Sequence, residues 1–265
     1  MSGPTVTWYF DFISPFAYLH WQEIKRMESC RIEYRPILLA GLLNHHGHKG
    51  PAEIPSKRRF TYRHVQWRAA QKGIALNFPP AHPFNPLNAL RLCIAAGCTP
   101  DAIDQIFDHL WQEGRAGESI EDLRPVASRL GVVDLEAALS SPEVKGDLQK
   151  NFQAALADDV FGVPTLVAGD ALFWGEDATA LFQDWLRDPG ILDTATILTG
   201  DLSARVPLAS ADDVRQAVDA ASAAFPAWAA TTPLNRARVM FRFKELLEKH
   251  AGDLAKIITS EHGKV

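Results

Sequence analysis

Three short stretches of this 265-residue chain place chemically useful groups at the seams between elements. In "FDFISPFAYL" an apolar run ends at Asp11, and Ser14-Pro15 then leads into Phe16, Tyr18, Leu19 and Trp21. A serine at a helix start faces unpaired N–H groups and the positive end of the helix dipole. An anion placed there is stabilised, and a thiolate there has its pKa lowered. Ser14 is therefore either a plain cap or a hydroxyl that donates to a bound thiolate. In "FGVPTLV" Val163-Pro164 opens a strand directly after a helix. A cis bond there would turn the backbone of Val163 toward an extended peptide, whereas a trans proline would only start the strand. In "FWGEDATALF" Gly175-Glu176-Asp177 begins a helix, where a carboxylate either caps the helix or holds a ligand's ammonium.

The elements that must position these groups follow from periodicity. Residues 5–10 alternate and carry β-formers, which predicts a strand. Pro15 suits the first helical position, and the helix is expected to run to about Met27. "RIEYRPILL" (31–39) reads as a second strand, parallel to the first. A run of helical segments follows, among them "KRRFTYRHVQWRAAQKG", which puts Phe60, His64 and Trp67 on one face. Strands return at 163–169 and 171–175 around the tight Gly169-Asp170 turn, and a last helix ends at Asp188 before Pro189. The order predicts an α/β fold: a small mixed sheet with a large α-helical subdomain inserted at about residues 40–158. From about Asp193 the texture changes to a pair of amphipathic helices. Ser210 and Asp213 form a capping box for one, and Thr232-Pro233 opens the other.

Composition narrows the function classes. The chain is 47% hydrophobic and 22% charged, with a net charge of −5, so no basic footprint argues for nucleic acid or an acidic membrane surface. No stretch reaches the ~20 apolar residues of a membrane helix. The N-terminus lacks a basic start with a long apolar run, so no signal peptide is expected. Three cysteines, Cys30, Cys93 and Cys98, fit a reducing cytoplasm. His45, His46 and His48 in "NHHGHKG" have no Cys, Asp or Glu nearby at zinc-like spacing, and no metal is expected.

Taken in order, "SPFAY" after a strand, the helical insert, "GVP" and "WGED" resemble the kappa-class glutathione transferase and 2-hydroxychromene-2-carboxylate isomerase family. The resemblance covers residues 4–192, and "HGHKGPAEIPSKRRFTYRHVQWRAAQKGI" with "FPPAHPFNPLNALRL" look like its isomerase branch. It implies a thioredoxin-like fold and glutathione as cofactor. Ser14 matches the serine that bonds the glutathione thiolate. Val163, before Pro164, matches the residue whose backbone pairs with the cysteinyl unit. Asp177, with Gly175 and Glu176, matches the site of the γ-glutamyl ammonium, and Lys57 the lysine near the glycyl carboxylate. His48 stands where the family often has asparagine, and Ala178 where it often has arginine.

Dithiol oxidoreductases of the same fold need Cys-x-x-Cys at the helix start, and Ser14-Pro15-Phe16-Ala17 has no sulfur. The implied activity is glutathione-dependent isomerisation of 2-hydroxychromene-2-carboxylate, a small aromatic carboxylate. Trp67, Phe84, Asn85 and Trp174 are candidates to line its pocket or are plain packing residues. A kappa-type transferase needs the same thiolate site, and a non-catalytic scaffold with an assembly tail is the alternative of another class. The resemblance also implies a homodimer. The remaining segment, 193–264, resembles the N-terminal part of an aldehyde dehydrogenase of the methylmalonate-semialdehyde kind. That family's nucleophilic cysteine and dinucleotide-binding strands lie beyond the matched part.

Overall fold

In the computed structural model, which describes residues 4–192 and 210–262, β1 (Thr5–Phe10) is the strand from which the rest is organised. It pairs in parallel with β2 (Arg31–Pro36) and antiparallel with β3 (Thr165–Ala168), which pairs antiparallel with β4 (Ala171–Trp174). The strand order is β2-β1-β3-β4. Helix α1 (Pro15–Ile24) makes the crossover from β1 to β2. Between β2 and β3 lie α2 (Leu39–His45), α3 (Pro55–Lys72), α4 (Leu87–Ala95), α5 (Pro100–Phe107), α6 (Ile120–Arg129), α7 (Leu135–Ser140) and α8 (Pro142–Ala157). Helix α9 (Thr179–Arg187) follows β4. This is the expected thioredoxin-like mixed sheet with its helical insertion.

Successive side chains of a strand point to opposite faces, and β1 feeds two cores. Trp8 and Phe10 stack on each other at 4.3 Å, with Trp21 and Phe107 against them. On the other face Tyr9 joins Ile37, Leu42, Ala155, Val160 and Val167. The bulky aromatics therefore lock α1 and α5 to one side of the sheet and α2 and α8 to the other.

Several boundaries differ from the sequence reading. β2 stops at Pro36: Ile37 still gives its N–H to the Phe10 carbonyl at 2.9 Å, but Leu39 already begins α2. α1 stops at Ile24, three residues short of Met27. The pair of amphipathic helices expected at the C-terminus is three: α10 (Ala211–Ala230), α11 (Pro233–Lys249) and α12 (Ala251–His262). His250, with φ −106° and ψ 14°, breaks the second. The chain divides into two compact units, Met1–Pro189 and Gly190–Val265. Residues 193–209 and 263–265 of the segment expected to resemble a dehydrogenase lie outside the described residues. Among the described residues no helix is long and apolar enough to cross a membrane.

Candidate functional site

Strand register brings the three stretches to one end of the sheet. Tyr9 lies opposite Thr165, and Thr165 lies opposite Trp174. The loop leaving β1, the residues entering β3 and the residues leaving β4 therefore meet at the C-terminal end of β1. That end carries Ser14, Val163-Pro164 and Gly175-Asp177.

Ser14 is nearly buried, and its Oγ accepts the Ala17 N–H at 3.2 Å. Among the described residues its O–H is given to no group, so the cap leaves a donor at the helix N-terminus. The loop before it is tightly held. Asp11 is fully buried, and its carboxylate accepts the Leu39 N–H at 2.8 Å and the Ile13 N–H at 3.1 Å. Burial pushes its pKa up to about 7, against the backbone N–H bonds that favour the anion. Trp111 donates its indole N–H to the Phe12 carbonyl at 2.8 Å, and His82 Nε2 meets the Ile13 carbonyl at 2.8 Å. Tyr62 in turn bonds His82 Nδ1 at 2.6 Å. Desolvation pushes the His82 pKa down, against its bond to the Ile13 carbonyl.

The Val163-Pro164 bond is cis. Among the described residues neither the N–H nor the C=O of Val163 has a hydrogen-bond partner, while the Pro164 carbonyl accepts the Gly175 N–H at 2.9 Å. Trp174, 55% exposed, lies over Gly162 and meets Phe161 at 5.2 Å. A Cβ at Gly162 would come within 2.6 Å of the Trp174 indole nitrogen, so only glycine admits the tryptophan there. Gly175 has φ +96°, and a Cβ on it would strike Asp177 Oδ1 at 2.4 Å. The glycine thus lets the Asp177 carboxylate fold back over the turn.

The Glu176 side chain is taken up by two cations of α3. It is buried, with Oε1 accepting from Arg68 at 2.5 Å and Oε2 from Lys72 at 2.6 Å. Burial favours the neutral acid, but the two cations outweigh it and hold the carboxyl below its usual range. Lys72 also bonds Glu23 of α1. The network ties α3 to α1 and to the turn before α9, and Phe16 meets His64 at 5.9 Å along the same seam.

The other expected residues are placed less closely. Trp67 is exposed on α3 and stacks on His64 at 6.0 Å. Phe84 is buried and meets His82 at 6.2 Å. Asn85 caps the next helix, accepting the Leu87 N–H at 3.1 Å. Lys57 is exposed in the first turn of α3. His48 is exposed beside His46, and no contact among the described residues joins it to Ser14. Among the described residues no three His, Cys, Asp or Glu side chains gather into a metal-binding group. Asp11, Tyr62, His82, Arg68 and Trp111 were missed from sequence. Only Asp11, a charge closing an apolar strand, left a visible signal.

Comparisons with known proteins bear on the fold and the family. The family described as "DSBA-like thioredoxin domain" matches residues 5–187, and the aldehyde dehydrogenase family matches 188–265. A 2-hydroxychromene-2-carboxylate isomerase of Pseudomonas putida is 32% identical over 67% of this chain and 92% of its own length. One of Sphingobium xenophagum is 29% identical over 69% of this chain and 98% of its own length. A solved structure of a 2-hydroxychromene-2-carboxylate isomerase superposes with a TM-score of 0.60, at 26% identity, over 76% of this chain and all of that one. A malonate-semialdehyde dehydrogenase of Pseudomonas aeruginosa is 50% identical over 66 residues, and the chain spans only 13% of that relative's length. Residues 5–187 thus make this chain a member of the DSBA-like thioredoxin domain family, with 2-hydroxychromene-2-carboxylate isomerases as relatives and a segment of aldehyde dehydrogenase sequence behind them.

Proposed function

We propose that residues 4–192 form a glutathione-dependent isomerase that interconverts 2-hydroxychromene-2-carboxylate and trans-o-hydroxybenzylidenepyruvate. The observation that carries this reading is Ser14: a nearly buried hydroxyl at a helix N-terminus, capping through its oxygen, its O–H given to no group among the described residues. No cysteine stands at Ser14-Pro15-Phe16-Ala17, so a thiol that acts here comes with a ligand. The unpaired backbone of Val163 fits an extended tripeptide such as glutathione.

In this reading Ser14 donates to the glutathione sulfur and, with the α1 N-terminus, favours its thiolate form. Val163, before Pro164, pairs with the cysteinyl backbone. Asp177 takes the γ-glutamyl ammonium, Gly175 and the backbone of Glu176 its carboxylate, and Lys57 the glycyl carboxylate, with His48 nearby. Trp67, Phe84, Asn85 and Trp174 border the aromatic substrate. Bound there, glutathione supplies a nucleophile whose reversible addition to the conjugated substrate frees a double bond to rotate. Asp11, His82 and Trp111 hold the loop that aims Ser14.

Calorimetric titration with glutathione, beside the ultraviolet absorbance of the thiolate, tests this. The wild type is expected to bind and to show thiolate. Asp177→Ala is expected to bind roughly tenfold or more weakly, as the loss of a charge-assisted bond of ~1.5–3 kcal/mol requires. Ser14→Ala is expected to bind without the thiolate signal. No binding by the wild type at millimolar glutathione overturns the reading. A stable adduct accumulating in the assay, without return of free thiol, replaces the isomerase with a transferase.

A further inference from the structure

The C-terminus of α4 carries two cysteines that the Ser14 site does not use. The helix ends in a two-bond reversal: Gly97, at φ +79°, gives its N–H to the Ile94 carbonyl, and Cys98 gives its N–H to the Cys93 carbonyl, each at 2.9 Å. This Schellman closure sets the third residue from the helix end beside the second residue past it, a contact usually made by two apolar side chains. Here both are cysteines, so the closure sets two thiol side chains next to each other. Cys98 also holds φ +50°, a left-handed conformation uncommon for a residue with a Cβ.

The two thiols are unequal. Cys93 is fully buried and Cys98 partly exposed, and both are free. The neighbouring Cys93 holds the Cys98 thiol below its usual range, against burial and the Asp147 carboxylate on α8. Burial, and then the neighbouring Cys98, push Cys93 up. An accessible sulfur favoured as thiolate, backed by a buried thiol, is the arrangement of an attacking and a resolving cysteine. Cys30 lacks it: its sulfur neighbour is Met27, at 3.7 Å, and burial raises its pKa.

We infer that Cys93 and Cys98 form a reactive dithiol that a small-molecule disulfide oxidises to an intramolecular bond. The Cys98 thiolate attacks one sulfur of the small disulfide, whose S–S bond breaks to release one thiolate. Cys93, losing its proton, then attacks Cys98 Sγ and displaces the second. Two protein thiols and one disulfide become one protein disulfide and two small thiols. The cysteines are oxidised, the small disulfide is reduced, and the two protons end on the released thiols. None of this depends on Ser14.

The test is the full chain incubated with excess glutathione disulfide, acid-quenched, and mapped by mass after trypsin. Both cysteines fall in one peptide, residues 92–115. That peptide is expected to lose the mass of two hydrogen atoms while Cys30 stays free. Cys93→Ser and Cys93→Ala are expected to accumulate a mixed disulfide on Cys98, at least about tenfold faster than on Cys30. Cys98→Ser is expected to leave Cys93 unmodified. A wild-type peptide that keeps both thiols, or stops at a mixed disulfide, overturns the inference without reference to any variant. Cys30 reacting as fast as Cys98 does so as well.

Discussion

Ser119 and Ser210 do the same local work in two units of one chain. Each opens a helix with a reciprocal box, Ser119 with Asp122 and Ser210 with Asp213. The helix after Ser119 buries Leu123, Val126 and Ala127. The helix after Ser210 buries nothing: Val214, Val218 and Phe225 are all more than half exposed. The same holds for Phe241 and Phe243 on α11, while Trp8, Trp21 and Trp111 of the first unit are fully buried. Capping and amphipathic spacing make a helix, but burial supplies most of its stability in a protein. The aldehyde-dehydrogenase-like segment has the first ingredient without the second among its described residues.

The largest expected break of this contrast is Trp111→Ala against Trp228→Ala. Trp111 fills the core and holds the Phe12 carbonyl, so its loss should cost ~3–5 kcal/mol. Trp228 is 42% exposed, and its loss should stay within ~0.5 kcal/mol. Urea unfolding followed by circular dichroism measures both. Equal losses would mean that the second unit packs its aromatics after all.

Asp11 gives the next largest effect, read as a pH dependence. Its folded pKa is raised from 3.8 to about 7, so the folded state binds the extra proton. Stability from this group is full below pH 3.8 and declines until about pH 7. Buried His20 and His109 and partly buried His82 have lowered pKa values and titrate the opposite way. The informative quantity is therefore wild type minus Asp11→Asn. That difference should fall by a few kcal/mol between about pH 4 and about pH 7. A flat difference in urea melts across that range would show that the N–H bonds to Asp11 at least cancel its burial.

Glu176→Gln should cost about 2 kcal/mol, less than a fully buried pair because Arg68 and Lys72 are each a quarter exposed. Its folded pKa is depressed, so the stabilisation is present above the ordinary 4.5 and disappears as pH falls through the folded value. Wild type and Glu176→Gln should then converge in acid. A gap that persists there would assign the loss to packing instead of charge.

These residues also mark what the sequence could disclose. Ser14, Pro15 and the Val163-Pro164 pair were legible because caps, helix starts and X-Pro bonds are local, and the strand register then brought them together. The ion pairs of Glu176 left no trace because its partners lie 108 and 104 residues upstream, and no spacing rule links them. His82 was passed over because its bond to Ile13 spans 69 residues. The third C-terminal helix was merged with the second because the apolar stripe Leu246, Leu247, Leu254, Ile257 runs straight across the break at His250.

The smallest effect compares two serine caps directly. Ser14→Ala removes the acceptor for Ala17 on a helix that buries most of its residues, and should lower global stability by ~1 kcal/mol. Ser210→Ala removes the acceptor for Asp213 on a fully exposed helix, at a similar local cost. Because α10 buries nothing, that cost should surface only as faster amide exchange in its first turn, with the main unfolding transition unmoved. Hydrogen exchange read by mass spectrometry separates the two. If Ser210→Ala shifts the main transition as far as Ser14→Ala, α10 is coupled to a packed surface, and the contrast between the two units fails.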